Sequence, residues 1–189
     1  LIGSFHSPSI VLADPNVLVS LPVEELRNGM GEVLKHSLIA DPQLFFLSNS
    51  KLSELQLSNF DSPLWLEIIK RAMAVKIQYV QADPYEKGQR AALNLGHTIG
   101  HALEIASNFQ LRHGEAVAIG LVYEARLSAQ MRIADDDLSP KIETALTSLG
   151  LPTTIPDYID RKRLIETIRF DKKMANGKIY FSLPVRIGK

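Results

Sequence analysis

Three of the chain's five histidines fall within one short stretch. His97 and His101 sit in Asn94-Leu95-Gly96-His97-Thr98-Ile99-Gly100-His101-Ala102-Leu103-Glu104, and His113 follows in His113-Gly114-Glu115. On a helix, the i, i+4 spacing of His97 and His101 places both imidazoles on one face, where they can meet a metal or an anionic ligand together. His113 lies past the expected end of that helix, and a chain reversal can return it as a third ligand. Imidazole is the commonest protein ligand for zinc-like cations, and a catalytic zinc usually takes three protein ligands and keeps one position open. The flanking Gly96, Gly100 and Gly114 point the same way. Glycine is costly inside a helix unless something must approach the backbone closely.

The elements that must position these groups read as helices. From Val23 the apolar residues Leu26, Met30, Val33, Leu34 and Leu38 recur at three- and four-residue steps, and Asp41-Pro42 should end the run. Glu32 and Lys35 lie three residues apart on this helix, a spacing that by itself describes a solvated ion pair. Asp61-Ser62-Pro63 has the form of a helix start, followed by Leu66, Ile69, Ala72, Val75, Ile77 and Val80, and Asp83-Pro84 closes it. Further helices are expected over 92–106, 114–132, from Ser139-Pro140 to a left-handed cap at Gly150, and over 161–168. The Ser/Leu-rich stretch 47–59 reads as a loop with fragments of helix. Ser9 to Leu12 could form a small edge strand. Asn176-Gly177 ahead of Lys178-Ile179-Tyr180-Phe181-Ser182-Leu183 predicts a hairpin. The sum is a single, mainly α, multi-helical domain over 1–189 with a minor β-hairpin near the C-terminus.

Composition narrows the function. At 189 residues the chain can bury one sizeable core, and 46% hydrophobic residues is ordinary for a globular protein. Twenty-one basic residues balance 21 acidic ones, so nothing suggests electrostatic capture of nucleic acid or an anionic membrane. There is no cysteine, so any metal must rest on His, Asp, Glu and water. The N-terminal residues lack the basic flank and apolar core of a signal peptide, and no apolar run reaches the roughly 18 residues of a membrane helix. The expected compartment is the cytoplasm. Neither a G-x-G-x-x-G loop nor a P-loop is present.

Taken together, the histidine blocks, Arg27-Asn28-Gly29-Met30-Gly31-Glu32-Val33-Leu34-Lys35-His36, Lys76, Glu86-Lys87-Gly88-Gln89-Arg90, Asn94 and Asp171-Lys172-Lys173 resemble the 3-dehydroquinate synthase family in order and spacing. The resemblance covers nearly the whole chain. It implies that Glu32, His97 and His113 bind a divalent metal, zinc or cobalt, and that His101, Lys35 and Lys76 face the reacting substrate. Arg90, Asn94, Lys172 and Lys173 would bind substrate, which fits the need of a phosphorylated sugar acid for cations, a forked guanidinium and an amide. Asp83 and Glu86 read as loop caps, and His6 and His36 as structural. The chain opens on leucine, and Leu1 to Pro8 resembles the family's segment just after its nucleotide-binding domain. The resemblance therefore implies the C-terminal half of a longer protein, with most of the NAD site in an N-terminal domain absent from this chain. This half alone would be inactive. The implied reaction converts 3-deoxy-arabino-heptulosonate 7-phosphate to 3-dehydroquinate with loss of phosphate, and the implied assembly is a homodimer. Two rivals stand beside it: another sugar-phosphate cyclase such as 2-deoxy-scyllo-inosose synthase, and a non-catalytic metal-binding or assembly domain. More distant are metal-dependent alcohol dehydrogenases.

Overall fold

The structure, a computed structural model, describes residue 6 and residues 8–50, 63–170 and 179–189. Its helices are α1 (Val23–Ile39), α2 (Pro42–Ser50), α3 (Pro63–Ala82), α4 (His97–Ala106), α5 (His113–Gln130), α6 (Ser139–Ser148) and α7 (Arg161–Phe170), with 3-10 turns at Pro15–Ser20 and Gln89–Asn94. Helix α5 is the axis of the domain. Its Ala116, Val117, Ala118, Ile119, Leu121, Val122 and Ala125 are all fully buried, as an element covered on every side requires. One face joins α1, α3 and α6 through Leu34, Leu38, Ile68, Ile142 and Leu146. The other joins α4 and α7 through Leu103, Ile119, Ile155, Ile159 and Leu164. The alanines and glycines of α5 let the flanking helices come close, so α1, α4 and α5 form one rigid layer.

Most of the expected helices are present within a residue or two. Gly150 does end α6, with φ +73°. Three expectations are corrected. The segment 92–106 is not one helix: a 3-10 turn stops at Asn94, Gly96 turns left-handed at φ +79°, and α4 starts on His97. Helix α2 runs into the stretch expected as a loop with fragments of helix, and residues 51–59 of that stretch lie outside the described residues. Asp41-Pro42 ends one helix and starts the next, because the Asp41 carboxylate accepts hydrogen bonds from the Gln43 and Leu44 N–H groups, both 3.0 Å. Ser9 to Leu12 is exposed and pairs with no strand among the described residues.

The C-terminal hairpin is likewise not supported. Asn176-Gly177 lies outside the described residues, and Ile179 to Leu183 joins no ladder. Side-chain hydroxyls hold the end of the chain against the helices instead. Ser182 Oγ donates to the Ala91 carbonyl at 2.6 Å, Thr98 Oγ1 to the Tyr180 carbonyl at 3.5 Å, and Ser128 Oγ to the Pro184 carbonyl at 2.6 Å. Two of its carbonyls, those of Tyr180 and Pro184, are thereby satisfied, and among the described residues the segment has no partner strand.

Candidate metal centre

Each helix of the rigid layer contributes one group to a common point. Helix α1 presents Glu32 from its middle, α4 begins on His97, and α5 begins on His113. Two close backbone approaches set their spacing. A Cβ at Gly114 would collide with the Asn28 backbone of α1, and a Cβ at Gly120 would collide with the Gly96 carbonyl ahead of α4. Only glycine lets these backbones touch.

The three side chains converge. Glu32 Oε1 lies 3.5 Å from His97 Nε2 and 3.8 Å from His113 Nε2, and the His97 and His113 ring centroids are 5.2 Å apart. Glu32 Oε1 is buried and, among the described residues, has no hydrogen-bond partner, an expensive state for a carboxylate oxygen. Metal–ligand bonds of 2.0–2.2 Å in a tetrahedron put neighbouring ligand atoms about 3.4 Å apart, close to the spacings found. The donor set also suits the ion. Two neutral imidazoles and one carboxylate leave a dication with a net positive charge that favours an anionic substrate.

Both imidazoles are oriented from behind. His97 Nδ1 is 3.1 Å from the Leu95 carbonyl, and His113 Nδ1 is 3.2 Å from Glu104 Oε2. An acceptor at Nδ1 keeps the proton there and leaves the Nε2 lone pair bare toward Glu32. Glu32, His97 and His113 thus form one possible ligand group. His101, Glu104 and His113 form a second by proximity. The first fits better, because it contains the orphaned oxygen and because Glu104 is engaged in orienting His113.

Charge around the point is tuned by burial. Lys35 Nζ lies 2.6 Å from Glu32 Oε2, with its side chain 4% exposed. Burial pulls the Lys35 ammonium down, more than Glu32 raises it. Burial pushes the Glu32 carboxyl up, but Lys35 and then His97 and His36 outweigh it, and the net direction is down. Burial, followed by the charge of Lys35, lowers His97 to about 4. His36, next to Lys35 and 6% exposed, falls to about 4 for the same two reasons. Both rings are neutral at pH 7, the form in which imidazole binds metal.

The other sequence candidates are more dispersed. His101 stands at the rim, its ring centroid 5.3 Å from that of His97 and 6.1 Å from that of His113. Lys76 is exposed on α3, and its charge helps to lower Lys35 and His36. Arg90 donates from Nη1 to the Pro84 carbonyl at 2.7 Å, and Asn94 from Nδ2 to Glu86 Oε1 at 2.6 Å. Asp83 caps this loop by accepting from the N–H groups of Lys87, Gly88 and Arg90 at 2.9, 2.7 and 3.2 Å. Lys172 and Lys173 lie outside the described residues. Sequence reasoning gave Glu104 no role. Its position seven residues after His97 is two turns along the same helix face, a signal that was available.

Comparison with known proteins accords with this geometry. A family model described as 3-dehydroquinate synthase C-terminal matches residues 29–174. The chain is 43% identical over 193 residues to a 3-dehydroquinate synthase of Symbiobacterium thermophilum, covering all of this chain and 52% of that protein. It is 41% identical over 196 residues to one from a Synechococcus strain, covering all of this chain and 51% of the relative. The chain therefore spans about half the length of the curated relatives it matches. Among solved structures it superposes on a Streptomyces hygroscopicus 2-epi-5-epi-valiolone synthase with NAD+ and Zn2+ bound, at TM-score 0.86 and 26% identity, over 99% of this chain and 52% of that one. It also superposes on a 2-deoxy-scyllo-inosose synthase complexed with carbaglucose-6-phosphate, NAD+ and Co2+, at TM-score 0.80 and 28% identity, over 100% and 52%. The family match spans most of the sequence and takes in all three residues whose side chains converge, so the chain belongs to the 3-dehydroquinate synthase C-terminal family.

Proposed function

We propose that this chain is the metal- and substrate-binding part of a 3-dehydroquinate synthase, a carbon–oxygen lyase that converts 3-deoxy-arabino-heptulosonate 7-phosphate to 3-dehydroquinate and phosphate in the shikimate pathway. The observation that carries the reading is the buried Glu32 Oε1, without a hydrogen-bond partner among the described residues, facing the Nε2 atoms of His97 and His113. A divalent ion, zinc or cobalt, held by these three would supply Lewis-acid polarisation of the substrate hydroxyls, and NAD, bound mainly by a preceding domain, a transient hydride acceptor.

The remaining residues have definable tasks. Lys35 keeps Glu32 ionised and turned so that Oε1 faces the histidines, and its buried charge is poised for an anionic substrate. Lys76 and His101 border the same point, and His101 is placed to give a proton to a departing phosphate oxygen. Arg90 and Asn94 offer a guanidinium fork and an amide to the carboxylate, in exchange for their present partners Pro84 and Glu86. Lys172 and Lys173 add charge for phosphate. The intact enzyme is a cytoplasmic homodimer that engages neither nucleic acid nor membrane; among the described residues no helix is long and apolar enough to cross one.

The test is phosphate release from 3-deoxy-arabino-heptulosonate 7-phosphate by the full-length polypeptide carrying this chain, with NAD and zinc present. Equimolar phosphate and 3-dehydroquinate are expected, with activity lost on chelation. Turnover only of a hexose phosphate without a carboxylate would transfer the assignment to another sugar-phosphate cyclase. The likeness to 2-deoxy-scyllo-inosose synthase keeps that second reading open to the same assay.

A further inference from the structure

Helix α4 starts without a cap of its own. The residue before it, Gly96, has no side chain to accept a first-turn N–H, yet that end of α4 must be fixed because His97 is its first residue. The missing acceptor comes from another helix. Glu124 of α5 is 0% exposed, and its Oε2 accepts the Gly96 N–H at 2.6 Å while Oε1 accepts the Ile99 N–H at 3.3 Å. One carboxylate therefore brackets His97 on both sides. Burying a carboxylate is costly unless hydrogen bonds satisfy it, and these bonds, with the positive end of the α4 dipole, do so.

The location of Glu124 gives this bracket its significance. It lies eleven residues, about three turns, beyond His113 on the same helix. The element that carries one imidazole thus grips the element that carries the other. The peptide it grips is also the one whose Leu95 carbonyl orients His97 Nδ1. Next to the bracket, Gly120 seats the Gly96 carbonyl against α5.

We propose that Glu124 is a positioning residue of the metal centre. By clamping Gly96 and Ile99 to α5, it fixes the separation and aim of the His97 and His113 Nε2 atoms, and hence the affinity and coordination geometry of the site. It touches neither ion nor substrate. The inference rests on the assignment of Glu32, His97 and His113 as ligands.

The experiment compares the full-length polypeptide carrying this chain with its Glu124→Ala and Glu124→Gln variants, using Co2+ as the probe. Affinity is read by competition with a chelating dye, coordination by the visible spectrum of bound Co2+, and the fold by circular dichroism and melting of the metal-free forms. Glu124→Ala is expected to lower Co2+ affinity about 10- to 100-fold, the range for loss of a group that orients ligands, and to change the Co2+ spectrum. Glu124→Gln keeps one carbonyl oxygen for Gly96 and should fall between the two, so it carries the test if the alanine variant does not fold. Lower melting temperature with unchanged affinity and spectrum would overturn the proposal and leave Glu124 a purely structural group. His113→Ala separates the two levels: if it binds Co2+ like the unaltered chain, the ligand assignment itself has failed.

Discussion

The candidate metal centre and the 83–94 loop are both polar clusters built around carboxylates, yet they are held in opposite ways. In the centre, groups on three different helices are brought together by close backbone contact between those helices. In the loop, Asp83, Glu86, Arg90 and Asn94 satisfy one another or neighbouring carbonyls within a few residues of chain. The first cluster is thus preorganised for one small ligand. The second is a local turn whose donors must exchange partners to bind anything. Disturbing the helix layer should therefore cost metal affinity and stability, whereas disturbing the loop should cost mainly substrate binding.

The largest effect should come from the ligand set. His113→Ala is expected to abolish tight zinc binding in a calorimetric titration while the helical circular dichroism persists, since the His113 side chain is 44% exposed and contributes little to the core. Unchanged zinc affinity would remove the contrast between the two clusters.

Acid comes next. Burial and the neighbouring Lys35 charge lower His36 and His97 to about 4 in the fold, from an ordinary 6.5. Between those values the unfolded chain binds protons that the folded chain excludes. Stability is therefore full above about pH 6.5 and declines toward pH 4, by on the order of 3 kcal/mol for each ring. Denaturant titrations of metal-free protein at pH 7 and pH 4.5 should show the loss, and His36→Gln should reduce it. The loop gives no such signal in that window, because Asp83, lowered by its bonds to the backbone N–H groups of Lys87, Gly88 and Arg90, releases its contribution only at more acid pH.

Smaller again is the effect of a single methyl group. Gly114→Ala forces a Cβ into the Asn28 backbone and should destabilise the fold by about 1–3 kcal/mol, with a parallel loss of metal affinity as α5 withdraws from α1. Thermal melting with and without zinc separates the two losses. Smallest should be Arg90→Ala. It removes one contact to the Pro84 carbonyl and should change stability by no more than about 0.5 kcal/mol, with metal affinity unaltered. In the intact enzyme its effect should appear in KM. A loss of metal affinity in Arg90→Ala would join the two regions that the structure separates.

Much of this arrangement could be read from the chain alone. The clustering of His97, His101 and His113, the apolar steps of α1 and α3, the proline starts and the Gly150 stop are local features, and local physics sets them. The break at Gly96 could be inferred only in part. Glycine permits a left-handed turn but does not demand one, and the demand comes from Gly120 and Glu124 on another helix. The C-terminal segment shows the same limit from the other side: its alternation satisfies a strand, but the acceptors and donors that reach it are the hydroxyls of Ser128 and Thr98 and the Ala91 carbonyl, far away in sequence. The candidate metal ligands and most of the helical segments were thus legible in the chain alone, because composition and period act over a few residues. That Glu32 meets His97 and His113, with an oxygen lacking a hydrogen bond among the described residues, and that Glu124 brackets His97, came from the packing of separate helices. Those relations depend on how closely two backbones pack, and no spacing along one chain encodes that distance.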